Sequence, residues 1–130
     1  MNSLLFATNT ASQALTNGQT LSFGQPVRRY GKNIQLSGGN VVINGEGYYP
    51  MIASVTLTAG AAGTYTVQLY ENGVAIPGAK ASGVAAANAV ISFAVPGVVR
   101  IKCCEEKIIT AVVSGGDSTV TNADIVVTKA

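Results

Sequence analysis

Apolar and polar residues alternate along much of this chain with the period of two that a β-strand requires. In residues 51–58 the odd positions are apolar and the even positions are mostly polar, as in a strand with one buried and one exposed face. Residues 65–69 repeat the pattern. No window places apolar residues at the three-to-four spacing of a capped helix. The chain is therefore predicted to be all-β.

Short strands separated by turn signals predict a sandwich or barrel. The predicted strands are residues 20–23, 33–36, 40–43, 48–58, 64–70, 74–76, 89–95, 98–103, 108–113 and 123–128. The turn signals are Asn17-Gly18, residues 37–39, Asn44-Gly45, residues 59–63, Asn72-Gly73, Pro77-Gly78, Pro96-Gly97 and residues 114–117. Asn72-Gly73 is the strongest hairpin signal, because both residues tolerate the positive φ of a type I′ turn.

The first residues of the chain lack this periodicity. They mix Asn, Ser, Thr and Ala with one apolar cluster, Leu4-Leu5-Phe6. An arm with one apolar patch docks on its own oligomer or reaches a partner. We therefore predict an N-terminal arm over residues 1–17 and a folded domain over residues 18–130.

The chain is poor in charge. Charged residues make up 11% of its 130 residues and hydrophobic residues 48%, so much of the surface is expected to lie against another subunit. The net charge of +2 is small and the eight basic residues are scattered. Binding to a phosphate backbone needs a basic stripe, so no nucleic acid partner is expected.

No membrane or export segment is predicted. The most apolar stretch, residues 84–99, is interrupted by polar residues and proline and is shorter than the ~20 residues of a spanning helix. The cluster Leu4-Leu5-Phe6 follows no basic leader, so a secretory signal is not predicted. We expect a soluble protein made in the cytoplasm.

Residues that could carry catalysis are sparse. Histidine is absent, which removes the usual general base and zinc ligand. Glu105 and Glu106 are adjacent, and neighbours in sequence splay apart instead of flanking a substrate. Asp117 lacks the carboxylate spacing of a calcium loop, and a plain turn is favoured. No catalytic residue, cofactor site or metal site is predicted, and we expect no enzymatic activity.

Two short clusters leave alternatives open. Arg28-Arg29-Tyr30 could contact an acidic or carbohydrate partner, although an exposed strand end is the simpler interpretation. Cys103 and Cys104 are adjacent, and neighbouring side chains of a strand point to opposite faces, which excludes an ordinary disulfide between them. A reduced pair, a bridge between chains and a redox pair all remain open, although the CxxC spacing typical of a redox pair is absent.

The order and spacing of several motifs carry a resemblance. Gly47-Tyr48-Tyr49, the hairpin segment Val67-x-Leu69-x-x-Asn72-Gly73 and the final strand 122–127 are similar to the jelly roll of the tumour necrosis factor family and the globular head of the first complement component. Residues 4–9 running into 24–31 resemble small proteins encoded among phage head genes. The resemblance implies a jelly-roll sandwich that trimerises through one face.

The predicted function is that of a non-enzymatic virion structural protein at the virion surface, a trimeric capsid decoration or head-fibre protein. Leu4, Leu5 and Phe6 are expected to anchor the arm to the major capsid protein or another virion protein. Tyr48, Tyr49 and Phe93 are expected to form the subunit contacts.

The alternative is a receptor- or glycan-binding module of a phage tail or of a bacterial or spore surface, with a host surface glycan as partner. Such a module needs an aromatic-lined groove, and aromatic residues make up only 6% of the chain, with no tryptophan.

Overall fold

The computed structural model describes residues 3–103 and 105–130, and these residues form strands and turns. The strands are β1 (Leu4–Asn9), β2 (Gln13–Leu15), β3 (Gln19–Leu21), β4 (Gln25–Tyr30), β5 (Ile34–Ser37), β6 (Asn40–Asn44), β7 (Gly47–Ala59), β8 (Gly63–Glu71), β9 (Val74–Ala85), β10 (Val90–Ile101), β11 (Glu106–Ser114) and β12 (Ser118–Thr128). In the described ranges, no helix is long and apolar enough to cross a membrane.

The strands form two antiparallel sheets. Sheet A has the order β10-β7-β12-β1-β4, and β2 adds to β12. Sheet B has the order β5-β6-β11-β8-β9, and β3 adds to β11. One apolar core lies between the sheets, and Phe23, Tyr49 and Tyr65 are its largest fully buried side chains. The prediction of an all-β sandwich is confirmed.

The alternation predicted for the central strand β7 decides which side faces the core. Met51, Ala53, Val55 and Leu57 are buried, whereas the even positions between them face outward. The predicted hairpin is also present, since Asn72 and Gly73 have φ values of 49° and 81° between β8 and β9. The Asn72 side chain accepts a hydrogen bond from the backbone N of Ile108 at 2.8 Å, which ties this turn to β11.

The structure corrects the predicted arm. Residues 4–9 form β1, which pairs with β12 on one side and with β4 on the other, and Leu5 and Ala7 are fully buried. The boundary predicted at residue 17 is wrong, because the sandwich begins at Leu4. The period of two was hidden because Leu4 and Phe6, on the outward face of β1, are apolar too. Met1 and Asn2 lie outside the described residues.

Two predicted turns also lie inside strands. Pro77-Gly78 is within β9 and Pro96-Gly97 is within β10, so the runs 89–95 and 98–103 belong largely to one strand. Pro96 lies on an outermost strand, where proline is tolerated because its missing N–H can face away from the sheet. Pro77 and Gly78 lie in a bulge of β9, since the register with β8 shifts from Gln68 opposite Lys80 to Tyr70 opposite Ala75, and Gly78 has a φ of 79°. Cys103 lies in the turn after β10 and is exposed, and Cys104 lies outside the described residues.

Proline recurs at the sheet edges. Pro26, Pro77 and Pro96 lie on β4, β9 and β10, which are three of the four outermost strands of the main sheet paths in the described chain. The fourth is β5, where Arg29 donates a hydrogen bond from Nε to the carbonyl of Ile34 at 3.1 Å. Each outer edge therefore carries a feature that hinders pairing with a further strand.

Candidate interaction surface

The outer face of sheet A carries a continuous set of apolar side chains, which we call the apolar face. It comprises Leu4, Phe6, Pro50, Ile52, Pro96, Val98 and Val126. Strand register places Ile52 opposite Pro96 on one side and Val126 on the other, and Phe6 lies opposite Val126. The exposed fractions of Ile52 and Val98 are 56% and 58%. The apolar face therefore crosses four neighbouring strands.

The same sheet face becomes polar further along the strands. Thr56 and Ser92 share a hydroxyl hydrogen bond of 3.1 Å, and Asp124 accepts hydrogen bonds from Thr8 and Asn122. These residues continue the outward positions of the strands that carry Ile52, Pro96, Phe6 and Val126. The apolar face therefore occupies one part of the sheet, with a hydrogen-bonded polar part beside it.

A groove of about 460 Å³ opens along the apolar face where sheet A meets the edge of sheet B. Pro77 and Gly78 of β9 form one wall, and Pro96, Val98 and Ile52 belong to its lining. None of its lining residues is ionisable. Its walls include rigid proline rings, so the groove fits an apolar side chain and has no group for proton transfer.

The structure separates the three predicted interface residues. Tyr48 is exposed, and the guanidinium carbon of Arg100 lies 5.6 Å from its ring centroid. Tyr49 and Phe93 are instead buried in the core of their own chain. The prediction that Tyr49 and Phe93 form subunit contacts is therefore wrong, because a side chain inside the sandwich cannot contact a second subunit unless the chain unfolds.

Tyr49 has a structural role. Its hydroxyl lies 2.9 Å from the Asn44 carbonyl and 2.8 Å from the Gly45 carbonyl, and it donates its proton to this pair. Burial raises the pKa of Tyr49 above its ordinary value, because the phenolate form would lose its hydration. The side chain thus fastens the turn between β6 and β7 to the core.

The predicted anchoring cluster is divided as well. Leu5 lies in the core, so its predicted contact with a capsid protein is corrected. Leu4 and Phe6 lie on the outward side of β1 and belong to the apolar face. Tyr30 is opposite Leu4 and Arg28 is opposite Phe6, which places these β4 residues at the margin of that face.

The carboxylates considered in the sequence have structural partners. Asp117 accepts a hydrogen bond from the backbone N of Asn17 at 3.2 Å, and its carbonyl accepts from Gly60 and from the Tyr65 hydroxyl. Glu105 accepts from the backbone N of Lys102 at 3.0 Å. Within the described ranges, no three His, Cys, Asp or Glu residues form a cluster that could hold a metal ion.

Sequence reasoning did not identify Ile52, Val98 or Val126 as surface residues of interest. The signal that could have identified them is a break in the alternation of apolar and polar residues along the strand. Ile52 follows Met51, and Val126 precedes Val127, so each strand has apolar residues on both faces at that level. Apolar residues on the outward face of a strand, grouped into one patch, mark a candidate interaction surface.

Comparisons with known proteins give the fold. No family model and no curated protein matches the sequence. Murine APRIL at pH 5.0 is similar in structure, with a TM-score of 0.77 and 17% identity over 100% of both chains. Eiger TNF from S. frugiperda has a TM-score of 0.73 and 12% identity over 98% of this chain and 91% of its own. The predicted jelly roll, of the tumour necrosis factor type, is confirmed.

A phage protein is also among the similar structures. The vertex protein P5 of phage PRD1 has a TM-score of 0.56 and 13% identity over 98% of this chain and 72% of its own. At this identity the likeness concerns the fold.

Proposed function

We propose that this protein is a non-enzymatic structural component of a virion that assembles as a homotrimer through the apolar face. The observation that carries the proposal is the continuity of that face across β10, β7, β12 and β1. Large contiguous apolar patches are uncommon on monomers and mark interaction sites. Burial of each Val or Ile side chain contributes ~1.5–3 kcal/mol before the entropic cost of association.

The arrangement favours a ring over a two-fold dimer. The groove wall formed by Pro77 and Gly78 lies at the β9 and β10 end of the apolar face, whereas Leu4 and Phe6 lie at its β1 end. Contact between two different patches is head-to-tail, and it ends in a closed ring when the rotation allows. The family resemblance implies three copies. The proline-bearing edges argue against assembly by strand addition.

The virion role is supported by the resemblance of the first part of the chain to phage head gene products and by the fold that the chain shares with the PRD1 vertex protein. Capsid decoration and a head fibre are the two forms of this role. The protein would lie at the virion surface, bound to the major capsid protein or another virion protein. The alternative glycan-binding role lacks support, because the groove lining contains no aromatic side chain.

Trimer formation through the apolar face is tested with two matched substitutions. Ile52→Asp places a charge in the apolar face, whereas Ile108→Asp places one on the outer face of sheet B, where Ile108 is 42% exposed. Light scattering should show three chains for the wild type and Ile108→Asp, and one chain for Ile52→Asp. Far-UV circular dichroism checks that both variants are folded. A monomeric wild type, or a trimeric Ile52→Asp variant, contradicts this assembly.

The virion role is tested separately. Purified particles from a phage that encodes this protein should contain it by mass spectrometry, and imaging should show three-fold density of jelly-roll size on the particle. Absence of the protein from intact particles contradicts the virion role while leaving the trimer unaffected.

A further inference from the structure

We infer that β4 and the turn after it form a docking surface for an extended acidic segment of a partner protein. This surface, which we call the basic edge, comprises Arg28, Arg29, Tyr30 and Lys32. The inference deepens the proposed virion role by naming the surface and chemistry of attachment, and it rests on that role for the identity of the partner. It replaces the attachment that a free N-terminal arm would have provided.

The positive charge of the basic edge is uncompensated. Residues 1–45 contain no Asp or Glu. Across the described residues, Arg28, Arg29 and Lys32 have no carboxylate within ion-pair distance, and the ion pairs present both involve Lys107, with Glu71 at 3.4 Å and Glu105 at 4.0 Å. One basic site of the molecule is thus internally neutralised, whereas the basic edge is left to attract an external anion.

The basic edge is also fully accessible. Every residue of β4 is exposed, because this strand ends sheet A and pairs only with β1. Arg28 and Tyr30 are two positions apart, so they point to the same side of the strand. An arginine beside an exposed tyrosine offers a planar fork for a carboxylate and an apolar surface for the adjoining chain.

Arg29 is partly fixed in advance. Its Nε donates to the Ile34 carbonyl at 3.1 Å, and its terminal nitrogens have no hydrogen-bond partner in the described part of the chain. A guanidinium held by one backbone contact loses less entropy when a carboxylate binds the remaining donors. The tie also bridges β4 to β5, which keeps the basic edge in place.

Side chains, and not backbone pairing, would recognise the partner. Pro26 removes one N–H from the outer edge of β4, and the register between β1 and β4 shifts between Phe6 and Ala7. Both features interrupt strand addition. Three cations are also too few for the multiple phosphate contacts that give nucleic acid binding its affinity. An acidic peptide, with carboxylates spaced along an extended chain, fits this surface best.

The test uses a fluorescein-labelled peptide of ten glutamates, with anisotropy measured against the wild-type protein. The double variant Arg28→Gln, Lys32→Gln is compared with Lys80→Gln, Lys102→Gln, which loses the same charge elsewhere on the surface. Loss of both basic-edge cations should weaken binding about tenfold or more, with the control pair close to wild type. Binding should also weaken between low and high salt.

Three results would overturn the inference. These are absence of binding by the wild type, equal loss in the two double variants, and tighter binding of a ten-nucleotide oligothymidine than of the peptide. Light scattering on the same samples reports the trimer independently. A trimeric protein that fails to bind the peptide refutes the basic edge alone, whereas a monomer refutes the proposed assembly.

Discussion

Adjacent residues in this fold serve unrelated purposes, as Tyr48 and Tyr49 illustrate. Both are aromatic residues on β7, yet Tyr49 is fully buried and Tyr48 is 54% exposed. The strand alone decides this difference, since consecutive side chains point to opposite faces. Residue type therefore could not identify the interface residues, and only the phase of the alternation separates core from surface.

Tyr49→Phe should destabilise the fold by about 1–2 kcal/mol, because the Asn44 and Gly45 carbonyls lose a buried donor. Tyr48→Phe, at an exposed position, is the control and should change stability little. Urea denaturation measures both. Equal effects of the two changes would show that the Tyr49 hydroxyl contributes nothing to stability.

The same residue gives a pH dependence. Its pKa is raised by burial above the ordinary value of 10.0, so the folded state favours the neutral phenol. The stabilisation is fully present below pH 10.0 and is lost as the pH rises through the folded-state pKa. Wild-type stability should therefore fall in that alkaline range more steeply than the stability of Tyr49→Phe. Parallel curves for the two proteins would contradict this assignment.

Some strands could be predicted from the sequence and others could not. β7 and β8 were predictable because each has one apolar and one polar face, and the hairpin at Asn72-Gly73 was predictable because its turn needs positive φ. β4 was not, because all its residues are exposed and no alternation marks it. β9 and β10 were each predicted as interrupted segments, because Pro77-Gly78 and Pro96-Gly97 are typical of turns. Proline is nevertheless tolerated within a strand at a bulge or at the edge of a sheet.

The candidate surface was predictable only in part. Arg28-Arg29-Tyr30 could be identified because charge and aromatic residues stand out in a charge-poor sequence. The apolar face could not, since its residues come from four strands that only the fold brings together. Leu4 and Phe6 were identified as contact residues because they are apolar. They were assigned to a free arm, whereas in the structure they belong to strand β1.

The position of β1 inside sheet A is testable with neighbouring leucines. Leu5→Ala empties a fully buried site and should cost about 2–5 kcal/mol. Leu4→Ala, on the half-buried outward side, should cost clearly less in the unfolding of the chain. Chemical denaturation distinguishes the two, and equal small effects would show that residues 4–9 behave as a detachable arm.

At the scale of the whole molecule, the groove in the apolar face and the ion pairs of the described chain are formed by different residues. The groove lining holds no ionisable residue, whereas Lys107 of β11 forms ion pairs with Glu71 at the end of β8 and with Glu105 in the turn before β11. Apolar contact in the groove and attraction between charged side chains therefore depend on different residues, and ionic strength should affect the two differently.

The trimer should persist from low salt to 1 M NaCl, because screening by salt weakens charge pairs and leaves apolar burial intact or strengthened. Sedimentation velocity over this range measures the mass directly, and the glutamate peptide should dissociate over the same range. Dissociation of the trimer by salt would move the subunit contact from the apolar face to the charged turns.

If the proposed virion role holds, the prolines and the Arg29 contact at the sheet edges also matter for how densely copies can be packed on a particle. Copies bound to one shell would have a much higher local concentration than copies in dilute solution. At that concentration, exposed strand edges of neighbouring copies would pair with each other, as in cross-β aggregates. Pro26, Pro77 and Pro96 interrupt three outer edges, and Arg29 occupies an acceptor on the fourth. Copies of this protein could therefore be packed at high density without pairing through their strand edges, so that each assembly remains separate from its neighbours.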